Sequence, residues 1–311
     1  MADPMISHRP MLAIVLKTSA IGIFVFMAAI IKATSDAVPP GQAVFFRSLF
    51  AMPVIFGWLA MRGELSQGIR VTNPWGHVRR GVLGTTAMGL NFWGLGLLPL
   101  PEVTAIGFAA PIFTVILAAA LLGERIRLIR ISAVAMGLVG VCVILLPTLG
   151  GGSWADGAAL GAIVILIATF CRSLVQIQIR ELVKTDHTAA IVFWFSMTAT
   201  LLSLATLPFG WTWPGWEVVG LLILAGLGGG VAQIMVTSSF RFAPASMLAP
   251  YDYSSMLFAI LLGYVWFAEV PTWTMLAGAA LVVAANGVVI WRERQLGRDP
   301  GKARSMAGPK G

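Results

Sequence analysis

Four ionisable side chains fall within long apolar stretches of the sequence: Arg47, Arg172 and Asp252 lie several residues in from the ends, and Glu102 opens its stretch. An Arg or Asp at the centre of a membrane helix costs about 2.5 to 3.5 kcal/mol, so each such residue needs a partner or a function. A guanidinium group can bind carboxylate or phosphate, and a carboxylate can bind a cation or a proton. These residue types therefore indicate binding of charged groups within an apolar interior.

Arg172 and Asp252 fall at similar depths in two different apolar stretches. One interpretation is a structural salt bridge that holds the two halves of the chain together. Another is a switch, in which Asp252 binds a cation or proton in one state and Arg172 in the other. A third is that the two side chains never meet.

Arg47 follows Gln42 and Phe45 within one apolar stretch, so helical geometry places these side chains on neighbouring faces. A guanidinium group there can stack on aromatic rings and bind a carboxylate or phosphate through two parallel hydrogen bonds. Alternatively, Arg47 extends to water or pairs with Glu102.

Uncharged polar and aromatic side chains give a second set of candidates for substrate binding. Amides in apolar stretches commonly hydrogen-bond between helices, which is the alternative to a binding role. Aromatic rings suit a flat ligand, although rings that face lipid look the same in sequence. The candidates are Asn91, Trp93, Phe108, Gln176, Trp194, Gln233 and Tyr251.

Two prolines and one glutamate have a predicted mechanical role. Pro111 and Pro250 lie inside apolar stretches, where each removes a backbone donor and can kink a helix, so both are candidate gate hinges. Glu269 follows the end of the ninth stretch, where the negative charge of a carboxylate interacts unfavourably with the helix dipole. We therefore expect Glu269 to have a specific partner.

Ten apolar stretches of membrane-spanning length must position these residues, because a span needs about 20 mostly apolar residues. Their connections carry Lys and Arg on alternate sides only, and the positive-inside rule then places both termini in the cytoplasm. The predicted spans are 14–33, 41–61, 79–98, 102–122, 130–148, 158–179, 188–208, 217–239, 245–267 and 273–291.

The composition excludes several other classes of protein. The chain is 58% hydrophobic and only 11% charged, which an ordinary soluble domain is not. Its net charge of +8 lies at span ends and in the tail, where it sets topology, so we expect no nucleic-acid partner. The spans hold no catalytic or metal-binding motif and no nucleotide-binding motif, so we expect no enzyme activity, no cofactor and no metal.

The two halves of the sequence resemble each other. Val44-Phe45-Phe46-Arg47-Ser48 matches Val192-Phe193-Trp194-Phe195-Ser196, and Asn91 and Gln233 fall at matching places. Each half contains five spans, an odd number, so the second copy must enter the membrane upside down. Inverted repeats of this kind are a recurring transporter architecture, with the substrate site at the repeat interface.

The segments Pro39–Ser48, Pro101–Ala105 and Leu122-Gly123-Glu124-Arg125 carry a family resemblance, which the second half repeats more weakly. The chain resembles the drug/metabolite transporter superfamily with two EamA domains, nearest to the branch of S-adenosylmethionine and riboflavin carriers. Several of those carriers have an Asp four residues before the Lys that ends span one, whereas this chain has Ala28 before Lys32.

The resemblance implies an all-α integral membrane protein of ten transmembrane helices, arranged as two inverted five-helix EamA repeats around a central cavity. The expected divisions are a cytoplasmic N-terminus (1–13), a first repeat (14–148), a periplasmic connector (149–157), a second repeat (158–291) and a basic cytoplasmic tail (292–311).

The expected function is secondary transport of a small organic metabolite across the bacterial inner membrane by alternating access. A riboflavin-like or S-adenosylmethionine-like substrate is implied, with a proton or counter-substrate as a further partner in the lipid bilayer. Alternatives are an exporter of amino acids or drugs, or an intramembrane enzyme.

Overall fold

The computed structural model describes residues 9–64, 68–110, 112–113, 116–117, 132, 135–144, 157–182, 185–242 and 248–298. Within these residues the secondary structure is helical and includes no β-strand, which confirms the prediction of an all-α protein. Pro111, Glu124, most of the connector at 149–157 and the tail from 299 onward lie outside the described residues.

Ten α-helices follow one another through the described residues, and each overlaps one predicted span. They are α1 (Pro10–Ala33), α2 (Pro40–Arg62), α3 (Pro74–Leu97), α4 (Leu100–Gly107), α5 (Ala135–Ile144), α6 (Ala158–Leu182), α7 (Thr188–Leu204), α8 (Trp216–Phe242), α9 (Ser254–Phe267) and α10 (Trp273–Arg298). Short 3-10 helices lie at Leu207–Phe209 and Ala249–Tyr253.

Four segments are long and apolar enough to cross a membrane by length and composition: Met11–Ala33, Pro40–Arg62, Ala158–Ile179 and Trp216–Ser239. Shorter apolar helices cover Ala135–Ile144, Thr188–Leu204 and Trp273–Ala285. The count of ten spans and the inverted relation of the halves remain predictions.

The sequence explains where several helices begin and end. α1, α2 and α3 each start at a proline, whose missing N–H has no helical partner at that position anyway. The Asn73 side chain caps α3 by accepting from the Gly76 N–H at 3.0 Å. α2 ends at Arg62 and is followed by Gly63, whose φ of 68° is left-handed and favours glycine.

The most extensive helix contacts join one half of the chain to the other. α1 and α2 pack on α8, α3 packs on α6, and both α2 and α3 pack on α7. The helices therefore have two common ends. We call the end with the turns at 34–39, 98–99, 205–215 and 268–272 the Glu269 end, and the end with the turns at 63–64, 68–73 and 185–187 the Asp186 end.

Glycines allow α8 to lie close against α2. A Cβ atom added at Gly226 would lie 2.5 Å from the Cβ of Phe50, and one at Gly230 would lie 3.1 Å from the Cα of Ala51. Small residues commonly allow such close approach between membrane helices. Because the helices approach so closely, Arg47 of α2 is enclosed by neighbouring helices.

Candidate functional site

Arg47 is buried between helices without a hydrogen-bond partner. Only 3% of its surface is exposed, and its Nε and Nη1 atoms lack partners. The side chain passes Gly229 of α8, where an added Cβ would lie 3.1 Å from Nε. Its guanidinium carbon lies 5.6 Å from the centre of the Phe195 ring, so a cation–π contact is its main polar interaction.

Arg80 of α3 approaches the same Phe195 ring, with its guanidinium carbon 4.6 Å from the ring centre. It is also 3% exposed; its Nη1 donates to the Ile191 carbonyl at 3.1 Å, while its Nε lacks a partner. Gly84 makes this approach possible, since a Cβ there would lie 2.7 Å from the Phe195 ring. Two buried guanidinium groups thus contact one ring.

A buried hydrogen-bond cluster joins the two halves at the Asp186 end. The Asp186 carboxylate accepts from the Thr72 N–H at 2.8 Å and contacts His77 Nε2 at 2.7 Å. The side chains of His77 and Asp186 are 3% and 1% exposed. Nearby, the Trp194 indole N–H donates to the Ile69 carbonyl at 3.0 Å. These contacts tie the turn between α2 and α3 to the turn between α6 and α7.

The pKa of Asp186 is lowered by this arrangement. Burial raises it, but the hydrogen bonds from Thr72 and His77, with the nearby charge of His77, outweigh burial. Asp186 is therefore ionised at neutral pH, and its charge is held by donors from the other half of the chain.

A second polar cluster joins the halves at the Glu269 end. Lys32 Nζ forms an ion pair with Glu269 at 3.1 Å and donates to the carbonyls of Leu95 and Leu98, at 3.2 Å and 2.6 Å. Glu269 also accepts from the Leu100 N–H at 2.8 Å. Glu269 therefore has the specific partner that its place after a helix end predicted.

The start of α2 is held at the same end by two contacts with the segment before α8. Gln42 donates to the Thr212 carbonyl at 2.9 Å and accepts from the Thr212 N–H at 3.0 Å. Phe45 packs on Trp211 with ring centres 5.2 Å apart. Both ends of the Gln42 amide are therefore occupied by backbone in this structure.

Glu102 lies beside this cluster, in a cavity of about 180 Å³. Glu269 also lines this cavity, together with Pro99, Pro101, Val270, Pro271, Thr272 and Met275. Arg47 does not pair with Glu102, since Arg47 forms no ion pair within the described residues. Two carboxylates and one lysine thus meet at the Glu269 end.

The structure gives Asp252 a different partner from the one considered in the sequence. Its carboxylate lies 2.7 Å from Lys17 Nζ, and the two side chains are 52% and 8% exposed, respectively. Arg172 instead donates to the Gly107 carbonyl at 3.0 Å. Arg172 and Asp252 therefore form no salt bridge in this conformation, because α1 supplies the nearer cation.

The remaining candidates are distributed over several places. Phe108 packs edge-on against Tyr253, with ring centres 5.2 Å apart, so the end of α4 contacts the 3-10 helix before α9. Pro250 belongs to that 3-10 helix. Asn91, Gln233 and Tyr251 are half-buried, whereas Trp93, Gln176 and Trp194 are exposed.

Sequence reasoning missed Arg80, His77 and Asp186 as interior polar residues. Arg80 follows Arg79 at a predicted span end, so it counts as a topology charge in the positive-inside pattern. The two glycines at 81 and 84 are the sequence signal for its burial, because they bring α3 close to α7. His77 and Asp186 are 109 residues apart, and their pairing leaves no local pattern.

The comparisons with known proteins agree with this helical architecture. Residues 11–146 and 159–291 both match the model of the EamA-like transporter family. The chain belongs to this family, whose members are integral proteins of the bacterial inner membrane.

Three relatives show the range of activities among similar proteins. The riboflavin transporter of Rhizobium johnstonii is 28% identical over 273 residues, covering 85% of each chain. The S-adenosylmethionine uptake transporter of Rickettsia bellii is 24% identical, covering 90% of this chain and 97% of the relative. The pseudopaline exporter of Pseudomonas aeruginosa strain UCBPP-PA14 is 27% identical, covering 84% and 90%.

A solved crystal structure has the same fold. It superposes with a TM-score of 0.67 over 91% of this chain and 97% of the other, at 22% sequence identity.

Proposed function

We propose that this chain is a secondary transporter that moves a small organic metabolite across the inner membrane by alternating access. The riboflavin and S-adenosylmethionine relatives favour an aromatic metabolite of one of these two kinds. Family membership supports transport rather than enzymatic activity.

One observation carries the proposal: polar contacts join the two halves of the chain at both ends of the helix bundle. Lys32–Glu269 and Gln42–Thr212 lie at the Glu269 end, and His77–Asp186 lies at the opposite end. A protein that opens alternately to either side needs a separable contact layer at each end. We assign these two layers as the outer and cytoplasmic gates, with the Asp186 end cytoplasmic by the positive-inside rule.

The contacts between these layers support an inverted repeat with the substrate site near its axis. Arg47 and Phe195 occupy matching places in the two halves, and they meet in the interior. Residues near such an axis come from equivalent positions of the two repeats. Asn91 and Gln233 are the matched amides that we place on the path of the substrate.

The energy source is an ion gradient, exchange, or the substrate gradient itself, since the 311 residues contain no nucleotide-binding motif. Glu102 is the proton-binding candidate, because it shares a cavity with Glu269. Asp252 is the cation-binding candidate, and release from Lys17 would free its carboxylate in another conformation. In that conformation Arg172 is its alternative partner.

The test is an uptake panel in proteoliposomes of purified full-length protein. Labelled riboflavin, S-adenosylmethionine and amino acids are supplied outside, with protein-free liposomes as the control. Saturable uptake of one compound, competed by its unlabelled form, is expected. Vesicles that take up none of them, even with an imposed proton gradient or internal counter-substrate, would contradict transport of this substrate class.

Export is the second candidate, and the pseudopaline exporter among the relatives favours it. The same vesicles, preloaded with the labelled compound, measure efflux. Faster efflux than uptake at equal gradients, with the protein oriented in one direction, would identify an exporter.

A further inference from the structure

We propose that Arg47 and Arg80 together bind an oxyanion group of the transported substrate, a carboxylate or a phosphate, beside the ring of Phe195. This inference rests on the proposed transport function and names the substrate chemistry of its central site. It adds Arg80 and Phe195 to the candidates visible in the sequence.

The geometry brings two positive charges together where water is excluded. The guanidinium carbons lie 5.6 Å and 4.6 Å from the centre of one ring, and each residue is only 3% exposed. Like charges repel more strongly in such surroundings than in water. An anion that contacts both guanidinium groups would offset this repulsion.

No carboxylate of the described residues neutralises either arginine. The acidic side chains that form ion pairs are bound elsewhere: Asp252 by Lys17, Glu269 by Lys32, Asp186 by His77 and Glu64 by His187. Within the described part of the chain, the charges of Arg47 and Arg80 are therefore available to a ligand.

The contacts with Phe195 do not satisfy the hydrogen-bonding groups of the arginines. A cation–π contact gives the guanidinium N–H groups no oxygen or nitrogen acceptor. Nε and Nη1 of Arg47 and Nε of Arg80 have no acceptor. Buried donors of this kind are normally paired, so three on two neighbouring residues indicate a missing acceptor.

Two buried hydroxyl groups are sequence neighbours of this site. Ser48 follows Arg47 and Ser196 follows Phe195, and the hydroxyl oxygens of both are buried without partners. Hydroxyls complement arginine donors at phosphate and carboxylate sites, because each can donate one hydrogen bond. Arg47, Arg80 and Phe195 thus provide the charge, the donors and an apolar wall.

This chemistry separates the two substrate kinds suggested by the relatives. S-adenosylmethionine carries a carboxylate, whereas riboflavin carries neither a carboxylate nor a phosphate. An oxyanion site therefore favours a substrate with an amino-acid or phosphorylated end over a neutral flavin.

The test measures anion-dependent thermal stability of the purified full-length protein in detergent. Acetate and inorganic phosphate are titrated against chloride at constant ionic strength. We expect at least one oxyanion to raise the melting temperature of the wild type, with acetate leading for a carboxylate site and phosphate for a phosphate site. Loss of a charged hydrogen-bonding partner weakens binding about 10-fold to 100-fold, so Arg80→Gln and Arg47→Gln should abolish the shift.

Arg79→Gln is the matched control, because Arg79 is the exposed neighbour of Arg80 and should leave the shift unchanged. Arg80→Lys keeps the charge but loses the two-pronged geometry, so a folded variant with weakened anion binding is expected even where the glutamine variant fails to fold.

A wild type that responds equally to chloride and both oxyanions would overturn the proposal. The proposal would also be overturned if Arg80→Lys and Arg79→Gln both kept the full oxyanion-dependent rise in melting temperature. This assay does not depend on transport. If no anion-specific stabilisation is seen but metabolite uptake is normal, the oxyanion site alone is rejected. If the stabilisation is seen but uptake is absent, the transport function alone is rejected.

Discussion

Asp186→Ala removes the centre of the hydrogen-bond cluster at the Asp186 end. The carboxylate accepts from the Thr72 N–H and from His77, at 2.8 Å and 2.7 Å, and is almost completely buried. A hydrogen bond to a charged group contributes about 1.5 to 3 kcal/mol, so loss of both should lower the free energy of unfolding by about 3 kcal/mol or more. The buried donors left without acceptors add to this loss.

The effect should depend on pH in a defined direction. The hydrogen bonds lower the pKa of Asp186 despite its burial, so its stabilisation is present above the ordinary carboxylate pKa of about 4. It is lost as the pH falls through the still lower native pKa. The stability difference between wild type and Asp186→Ala should therefore be full at neutral pH and shrink below about pH 4.

Thermal unfolding of detergent-purified protein between pH 3.5 and pH 7 measures this difference. Glu217→Gln is the control, because Glu217 is an exposed carboxylate in the first turn of α8. If Asp186→Ala unfolds no earlier than Glu217→Gln at neutral pH, the cluster does not hold the two halves together. A difference that grows as the pH falls below about 4 would refute the assigned ionisation.

Three further substitutions test other contacts. Lys17→Ala should destabilise the protein by about 1 kcal/mol, a small effect because Asp252 is half-exposed. Exchanging Lys17 and Asp252 should recover stability in thermal unfolding. A double exchange that is less stable than either single change argues against the pair. Glu102→Gln should remove the pH dependence of uptake if Glu102 carries the proton, and an unchanged pH profile excludes it. Asn91→Ala should weaken substrate binding about threefold to tenfold, while Trp273→Ala, which changes an exposed side chain at the start of α10, should leave affinity unchanged; the reverse result contradicts the central site.

The helices could be predicted from the sequence because their signals are local. Apolar runs of spanning length and prolines at the starts of α1, α2 and α3 specify where these helices lie, without reference to any distant residue. Glu269 was predictable for the same reason: its position after a helix end requires a partner close by. The local sequence pattern did not, however, indicate that Lys32 is this partner.

The polar interior could not be predicted, because its contacts join residues far apart in the chain. Arg80 carries the same local signal as Arg79, yet one is buried against Phe195 and the other is exposed. The two arginines differ in exposure because Arg80 lies on the face of α3 that packs on α7. Similarly, the sequence predicted Gln42 as a substrate-binding residue from its residue type. In the structure, both the oxygen and the nitrogen of its amide hydrogen-bond to the backbone of Thr212, 170 residues away.

The assignment of two alternating gates is the central claim, and cross-linking each gate tests it most directly. In a background with Cys142 and Cys171 replaced by Ala, one cysteine pair at positions 72 and 185 spans the Asp186 end, where the Thr72 hydroxyl lies 3.5 Å from the Thr185 carbonyl. A second pair, at 37 and 212, spans the Glu269 end, where the Thr212 hydroxyl donates to the Ala37 carbonyl at 2.6 Å.

Uptake is measured before and after treatment with a short reducible thiol cross-linker, with the single-cysteine variants as controls. Two gates predict that a cross-link at either end alone abolishes uptake and that reduction restores it, while the single-cysteine variants remain active. Full uptake by protein cross-linked at either end would contradict the claim.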